Sequence, residues 1–251
     1  MIDAVDHLVV AVDDLRTAAH ELERTVGMRC TGSGRHEGLG TANRIAFLAD
    51  GSYVELMAIE DADAAKRGPI GRATLRALDY GGGLAWYALN DDELPITVAA
   101  LRAAGSSIGP VVAGSRRRPD GELVRWWTAM AEPSGPYGVP FLIRHARFGA
   151  EWSPAAVAGR AAIPHPAGAP VSLLRVELTV NDLDALAALH FRELGLEYRQ
   201  IGSAAVCRVG RHVIRLRRAG AGAPAVSVYL RAAGQPRSVD SLGMRWELAR
   251  G

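Results

Sequence analysis

The sequence GRHEGLGTANRIAFLADGSYVELMAIE, residues 34–60, decides the fold because it puts ionisable residues where a plain strand would hold apolar ones. It reads as two short strands separated by Asp50-Gly51, which is a two-residue hairpin signal. In the second strand the side chains of Tyr53, Glu55 and Met57 share one face, because strand side chains alternate. A carboxylate flanked by large apolar groups is expected to have a partner or a chemical role.

The N-terminal segment IDAVDHLVVAV is a predicted apolar strand that Asp6 and His7 interrupt. Asp13-Asp14 then supplies the cap and first-turn acids of a helix predicted over about residues 15–26. The order is therefore strand, helix, three strands. We expect His7 on the first strand and Glu55 on the last strand to face each other across the sheet that this unit forms.

The same order repeats after residue 80. A strand is followed by the acids Asp91-Asp92, a helix predicted over about residues 94–104, and three strand candidates that end near residue 146. Internal repetition of this kind is evidence for architecture. The sequence thus predicts an α+β fold with tandem βαβββ modules at about residues 1–60 and 80–146.

A third, partial copy occupies the C-terminal part of the chain. Aligning its helix cap with that of the first module places Arg175 against His7, and Arg215 falls on the last strand without a carboxylate. We interpret residues 171–251 as a degenerate third module that covers the barrel or a dimer edge. Residues 149–170, rich in Ala, Pro and Gly, are expected to be an exposed linker.

The charge and cysteine content exclude several classes of protein. Lys and Arg total 29 against 27 Asp and Glu, and this net charge of +2 does not favour binding to nucleic acid or to a membrane. The two cysteines fit no disulfide framework, which favours a reducing cytoplasm. The N-terminus lacks the positive region of a signal peptide, and its apolar run is too short to span a bilayer.

Five motifs of the first 148 residues are informative together. They are DHLVVAVDDL with His7, GRHEGLGTANR with His36, Thr41, Asn43 and Arg44, DGSYVELMAI with Glu55, SRRRPDGELVRWW, and PFLIRH. These motifs resemble the vicinal oxygen chelate superfamily, and within it the glyoxalase-like branch. The resemblance covers roughly residues 1–148 and implies one domain in which the two modules pair into a half-open barrel around a cup. It also implies that the first-strand histidine and last-strand glutamate bind a divalent metal.

The implied metal ligands are His7 and Glu55, with His36 as a third donor for one Zn, Ni, Mn or Fe ion. The matching positions of the second module are apolar, at Leu84 or Ala85 and at Leu142 or Ile143. Two ligands hold a metal weakly, so a metal-free alternative stays open. In that alternative His7, held by a carboxylate, is a general base that takes a proton next to a carbonyl group.

Further residues are candidates for contact with a ligand. We predict that His36 lies in a glycine-rich loop that turns its imidazole toward the mouth of the cup. Arg125 and Trp127 share a strand face and would suit a planar, anionic ligand, although a purely structural cluster explains them as well. The predicted ligand-contacting residues are His36, Asn43, Arg44, Arg125, Trp127 and His145.

The resemblance and the residues together favour a glyoxalase-like enzyme of the lyase or isomerase type. Its expected substrate is a small carbonyl- or carboxylate-bearing metabolite, and its expected reaction is proton transfer or a metal-assisted isomerisation or lysis. His7 and Glu55 are the predicted catalytic residues. The alternative is a non-catalytic protein that holds a small molecule in the same cup, as a resistance or carrier protein. A homodimer is compatible with either function.

Overall fold

The computed structural model describes residues 1–223 and 225–250, and its N-terminal half is a closed barrel of eight strands. The first four strands belong to one βαβββ module and the next four to a second, so the predicted pairing of two modules is confirmed. The strands are β1 (Ile2–Ala11), β2 (Gly32–His36), β3 (Thr41–Phe47), β4 (Tyr53–Ile59), β5 (Gly83–Asp91), β6 (Val112–Arg117), β7 (Leu123–Ala129) and β8 (Phe141–His145).

The strand order around the barrel is β1-β4-β3-β2-β6-β7-β8-β5. Within each module the first and last strands are parallel, β1 with β4 and β5 with β8. The modules meet along two antiparallel seams. One joins β1 to β5 over their whole length, and the other joins β2 to β6 at Arg35 and Arg117. Both seams are paired, so the ring that the sequence predicted as half open is closed by hydrogen bonds.

The two predicted module helices lie outside the barrel. α1 (Leu15–Glu21) is capped by the Asp14 side chain, which accepts a hydrogen bond from the Thr17 amide, and it continues as a π-helical turn, Leu22–Val26. α4 (Leu94–Ala103) packs on β7 and β8. The apolar side of each helix is thereby buried against the barrel wall.

Two helices join the modules where the sequence gave no prediction. α2 (Ala62–Arg67) is capped by Asp61, and α3 (Pro69–Asp79) follows at once. α3 packs on β1, β4 and β5, and its Ala73 belongs to the same buried cluster as Val9 and Trp86. The connection between the modules therefore closes one end of the barrel.

The C-terminal region forms a second, open sheet of seven strands in the order β10-β11-β12-β9-β13-β15-β14. Its order and directions repeat those of the barrel, with β9 in the place of β1 and β13 in the place of β5. The elements are β9 (Ser172–Val180), α6 (Leu183–Leu194), β10 (Arg199–Ile201), β11 (Ala204–Val209), β12 (His212–Arg218), β13 (Val226–Ala232), β14 (Arg237–Ser241) and β15 (Met244–Arg250).

The repetition goes beyond the degenerate third module that the sequence predicted. β9 to β12 with α6 form that module, and β13 to β15 take the positions of the first, third and fourth strands of a further one. A counterpart of β6 and of the helix before it is absent from the described residues, so the sheet does not close. The domain boundaries at residues 148 and 171 stay a prediction.

The second sheet packs on the outside of the barrel. Leu8 and Val10 of β1 share one hydrophobic core with Val176 and Leu178 of β9. Burying each such side chain stabilises the fold by about 1.5–3 kcal/mol. His212 fixes the contact, because its Nδ1 accepts a hydrogen bond from the Val5 amide at 3.0 Å. The inward-facing side chains of the barrel remain free to line a cavity.

The segment between the two sheets was expected to be an exposed linker, and it is more ordered than that. It contains a 3-10 turn, Ala150–Trp152, and then α5 (Pro154–Ala161), which the Ser153 hydroxyl caps. Ile163, His165 and Ala167 are buried. His165 links the segment to the barrel, because its ring contacts the Arg29 amide and the Phe47 carbonyl. The segment therefore crosses the barrel mouth in close contact with it.

Candidate active site

The barrel encloses a cavity of about 840 Å³. Its floor is formed by the start of α3, and the 150–161 segment lies over its mouth. Most of its wall is apolar or aromatic, and most of its polar side chains lie on β1 to β4, at the end of β8 and at the mouth. The large apolar residues in the wall include Ile45, Phe47, Met57, Ile70, Val124, Trp126, Phe141 and Ile143.

Two adjacent residues of β1, Asp6 and His7, both line this cavity. Successive residues of a regular strand point to opposite faces, so one of them needs a local irregularity. The pairing of β1 with β5 shifts register between Val5 and His7, as in a β-bulge. A bulge re-aims one side chain, and such bulges are common next to active sites. The sequence therefore presents a carboxylate and an imidazole to the same space.

The Asp6 carboxylate orients the His7 ring. Oδ1 of Asp6 lies 2.6 Å from Nδ1 of His7, and both oxygens lie 3.1 Å from Nε2 of His145. Burial raises the pKa of Asp6, but the charge and hydrogen bonds of His145 and the hydrogen bond of His7 outweigh it and hold this pKa well below its usual range. Asp6 is thus an ionised acceptor, and Nδ1 of His7 donates to it.

Nε2 of His7 faces Glu55, as the strand order predicts. It lies 3.5 Å from Oε2 of the glutamate, and both side chains are buried. The His7 ring stacks on Tyr53, with centroids 4.5 Å apart and planes within 11°. Phe141 meets the same ring edge-on at 5.5 Å. Aromatic packing and the Asp6 hydrogen bond therefore hold the imidazole in one orientation.

The other oxygen of Glu55 meets Asn43 and His36. The Asn43 amide donates to Oε1 at 2.5 Å, and Nε2 of His36 lies 3.6 Å from the same oxygen. Oδ1 of Asn43 is buried and has no hydrogen-bond partner among the described residues. A ligand with a donor group would satisfy it, since buried polar atoms are seldom left unpaired.

His36 was predicted in a loop, and this prediction was wrong. It is the last residue of β2 and is buried, because its ring packs edge-on against Trp126 at 5.8 Å and bonds through Nδ1 to the Thr41 hydroxyl at 2.8 Å. Burial lowers the pKa of His36, and the nearby charge of Glu55 opposes this only in part. His36 therefore presents a neutral imidazole to Glu55.

Three of the predicted ligand-contacting residues lie outside the cavity. On β3 the inward positions are Asn43, Ile45 and Phe47, so Arg44 points outward. On β7 the inward residues include Trp126, and this leaves Arg125 exposed and Trp127 on the outer face beneath Arg144. The sequence analysis assigned Arg125 and Trp127 to the inner face of β7, whereas the structure places Trp126 there. An error of one residue in the alternation exchanges the inner and outer faces of a strand.

His145 and two side chains that the sequence analysis missed lie at the mouth. His145 has a buried Nδ1 without a partner in residues 1–223 and 225–250. Arg116 of β6 points inward and binds the Glu151 carboxylate through Nη2 at 2.7 and 2.9 Å, with both side chains nearly buried. The sequence offered one signal for Arg116, because side chains alternate along a strand and the three arginines of residues 116–118 cannot all face solvent. Glu151 gave none, because its contact spans 35 residues of chain.

The donors around Glu55 are of the chemical types that bind a divalent ion. Two imidazole nitrogens, of His7 and His36, lie 3.5 and 3.6 Å from the two carboxylate oxygens. Two ligands that share a tetrahedral ion lie roughly 3.4 Å apart. In the described part of the chain, however, no three His, Cys, Asp or Glu side chains are arranged as an assembled metal site. In this structure the Asn43 amide donates a hydrogen bond to one oxygen of Glu55.

No helix in the described ranges is long and apolar enough to cross a membrane. A comparison with curated proteins found no match. Among solved structures, a hypothetical protein from Staphylococcus aureus is similar over 98% of this chain and 99% of its own, with a TM-score of 0.79 and 14% identity. This likeness extends to both sheets and concerns the fold.

Methylmalonyl-CoA epimerases are similar over little more than half of this chain. The Streptomyces coelicolor enzyme is 18% identical, and the match covers 58% of this chain and 99% of that enzyme with a TM-score of 0.43. The Mycobacterium tuberculosis enzyme is also 18% identical, and the match covers 57% of this chain and 87% of that enzyme with a TM-score of 0.43. The glyoxalase-like domain family matches residues 5–195. The chain therefore belongs to the glyoxalase-like domain family of the vicinal oxygen chelate superfamily.

Proposed function

We propose that the protein is an enzyme that moves a proton next to a carbonyl group of a ligand bound in the barrel, as an isomerase or a lyase. The observation that carries this proposal is the chain of contacts from Asp6 through His7 to Glu55. An imidazole whose Nδ1 donates to an ionised carboxylate keeps Nε2 as a lone pair, and here Nε2 faces the cavity. This is the arrangement that a general base requires.

In the reaction, Nε2 of His7 takes the proton from the carbon next to the carbonyl group. The ionised Asp6 carboxylate stabilises the imidazolium that forms. The electron pair of the broken C–H bond moves to the carbonyl oxygen as an enolate. Return of the proton to the opposite face of that carbon, after the enolate turns in the cavity, inverts the carbon and completes an epimerisation, whereas return to the original face regenerates the substrate. Burial raises the pKa of Tyr53, and the charges of Asp6 and Glu55 add to the rise, so its phenol stays protonated as a donor for oxygen.

A divalent ion is part of the proposal because the donor types fit it. Nε2 of His7, Nε2 of His36 and the Glu55 carboxylate would hold the ion, which would act as a Lewis acid toward the substrate oxygen. His7 would then serve as a ligand and not as the base. Metal content of the wild type and of His7→Ala, each purified without chelator, separates these two versions. Equal content in both proteins would rule out this metal site.

The cavity favours a substrate larger than the smallest oxo-aldehydes. Its volume of about 840 Å³ lies in the upper part of the roughly 300–1,000 Å³ range of sites for drug-sized ligands. Arg116 is paired with Glu151, and Arg160 lies over the rings of Phe47 and Trp152. The mostly apolar and aromatic wall therefore favours a largely apolar molecule with a carbonyl group, and Arg160 keeps its charge at the mouth.

A non-catalytic binding protein is the second candidate, and the apolar, aromatic wall of the cavity favours it. Glu55→Gln separates the two functions, since it preserves volume and removes the charge. An enzyme that uses Glu55 should lose turnover by roughly 100-fold or more on a panel of ketones, aldehydes and hemithioacetals. A binder should keep its ligand affinity within about tenfold, which is about 1.4 kcal/mol. Arg125→Ala, on the outer face, is the matched control.

If turnover and affinity are both unchanged in Glu55→Gln, the functional site lies elsewhere. The proposal includes a cytoplasmic location, because the two cysteines, Cys30 and Cys207, are free thiols. It also includes a small-molecule ligand as the partner. A homodimer stays a prediction that sedimentation would test.

A further inference from the structure

The open C-terminal sheet repeats the architecture of the barrel with different chemistry at the site positions. In the barrel, Val9 pairs with Glu55, and His7 lies two residues before Val9. In the second sheet, Glu177 pairs with Arg215, and Arg175 lies two residues before Glu177. Arg175 thus occupies the position of His7, and Arg215 occupies that of Glu55. The corresponding face of the second sheet therefore carries guanidinium groups.

These side chains point away from the barrel. Val176 and Leu178 of β9 and Leu216 of β12 are buried in the core between the two sheets. Strand side chains alternate, so their neighbours in sequence occupy the other face of the sheet. We call the residues on that face the arginine cluster, which consists of Arg175, Glu177, Arg215 and Arg217.

The arginine cluster has more positive charge than its carboxylate balances. Glu177 is 1% exposed and accepts from Arg215 at 2.9 Å and from Arg217 at 3.0 Å, one on each oxygen. Nε of Arg175 lies 3.7 Å from the same carboxylate, and its guanidinium lies over the Tyr229 ring at 3.6 Å. Three cations and one anion leave an excess of two positive charges.

The excess charge is accessible from solvent. The side chains of Arg175, Arg215 and Arg217 are 29, 31 and 43% exposed, and Glu177 holds them in a common orientation. Of the acids on the neighbouring strands, Asp240 pairs with Arg245, whereas Glu247 accepts a hydrogen bond from the neutral Ser238 hydroxyl and keeps its charge. Each guanidinium carries five N–H donors, and Glu177 uses only a few of them.

We propose that the arginine cluster binds the phosphoryl group of a small phosphorylated molecule. A phosphate monoester carries about −1.5 to −2 charges near neutral pH, which matches the excess at the cluster. Guanidinium forks bind such oxygens in pairs, and Glu177 and Tyr229 hold the three guanidinium groups in advance of binding. None of these residues contributes to the barrel cavity, so this site is independent of the function proposed above.

Calorimetric titration with inorganic phosphate and with phenyl phosphate tests the proposal. The wild type should bind phenyl phosphate saturably, and the double variant Arg215→Gln, Arg217→Gln should bind it at least tenfold more weakly. Arg218→Gln is the matched control, because Arg218 lies on the same strand, is exposed and pairs with Asp184. It should bind within twofold of the wild type. Unchanged affinity in the double variant, or the absence of saturable binding by the wild type, would overturn the proposal.

The double variant removes two cations that pair with the buried Glu177 carboxylate, and this could cause misfolding. A second variant therefore provides an independent test. Glu177→Gln keeps the shape of the cluster and raises its excess charge to three, so it should bind phenyl phosphate several-fold more tightly than the wild type. Weaker binding in this variant would contradict the site. Succinate is titrated in parallel as a dicarboxylate, and tighter binding of succinate than of phenyl phosphate would overturn the assignment to a phosphoryl group.

Discussion

Oδ1 of Asp6 lies 2.6 Å from Nδ1 of His7, although the two residues are neighbours on one strand. A regular strand would place them on opposite faces, and the register shift in β1 brings both into the barrel. The contact gives His7 a fixed orientation toward Glu55. The proposed chemistry depends on this short contact more than on any other feature of the cavity.

Asp6→Asn should impair the reaction without unfolding the protein. An asparagine side chain can also donate to Nδ1 of His7, so it does not keep the proton on that nitrogen. It also lacks the charge that stabilises the imidazolium, so we expect turnover to fall roughly 100- to 10,000-fold. Steady-state kinetics on a carbonyl substrate would measure the loss. Asp13→Asn, at an exposed position beside the α1 cap, is the control and should behave as the wild type.

Asp6 should also make the stability of the protein depend on acid pH. The pKa of Asp6 is lower in the folded state than in the unfolded chain, because His145 and His7 favour its charged form. Its contribution to stability is therefore complete above the unfolded pKa of about 4 and is lost as the pH falls through the folded pKa. The difference in free energy of unfolding between wild type and Asp6→Asn should therefore be constant above about pH 5 and shrink progressively as the pH falls below about 4. A difference that stays constant below about pH 4 would contradict this assignment.

His36 should remain neutral to a lower pH than a free histidine. Burial lowers its pKa, so protonation favours the unfolded state. The stabilising effect of the neutral form is complete above about pH 6.5 and declines as the pH falls below it. NMR titration of the imidazole, assigned by comparison with His36→Gln, should give a midpoint below 6.5. A midpoint above 6.5 would show that the Glu55 charge outweighs burial.

The ion pair between Arg116 and Glu151 should attach the 150–161 segment to the barrel. Removing one partner of a buried pair leaves an uncompensated charge, so Glu151→Gln should cost about 3–5 kcal/mol of unfolding free energy. The control is the ion pair between Glu37 and Arg117, which follows Arg116 on β6, and both of its side chains are about half exposed. Glu37→Gln should cost only about 0–1 kcal/mol. Equal effects in chemical denaturation would contradict the buried contact.

The two adjacent tryptophans of β7 should respond differently to a ligand. Trp126 lines the cavity, whereas Trp127 lies on the outer face. Binding of an apolar carbonyl compound should therefore change the fluorescence of Trp126. Trp126→Phe should remove most of the change, and Trp127→Phe should retain it. The reverse result would mean that the strand faces are exchanged.

Much of the barrel follows from sequence, because the module order repeats and periodic apolar positions identify the strands. The meeting of His7 and Glu55 follows from the same order, since the first and last strands of a module are neighbours. The inward turn of Asp6 does not follow, because a bulge leaves no signal in a single sequence. The face of Arg125 depends on a one-residue choice of register, and such a choice reverses the whole strand.

Contacts across long separations in the chain were also beyond sequence reasoning. Glu151 lies in a segment whose composition is typical of an exposed linker, yet it reaches Arg116 inside the barrel mouth. From the sequence, only two members of the arginine cluster stood out. Arg175 aligned with His7, and Arg215 lay on the last strand of the third module, where no carboxylate was found. Its convergence on Glu177 depends on the pairing of β9 with β12, which composition does not specify.

The most direct test of the proposed proton transfer is exchange of the hydrogen next to a carbonyl group in D₂O, followed by NMR with a panel of bound ketones and aldehydes. The wild type should catalyse the exchange, and His7→Gln should reduce the rate at least 100-fold. His20→Gln, on the exposed side of α1, should exchange at the wild-type rate. Exchange at an equal rate in the wild type and His7→Gln would contradict the account.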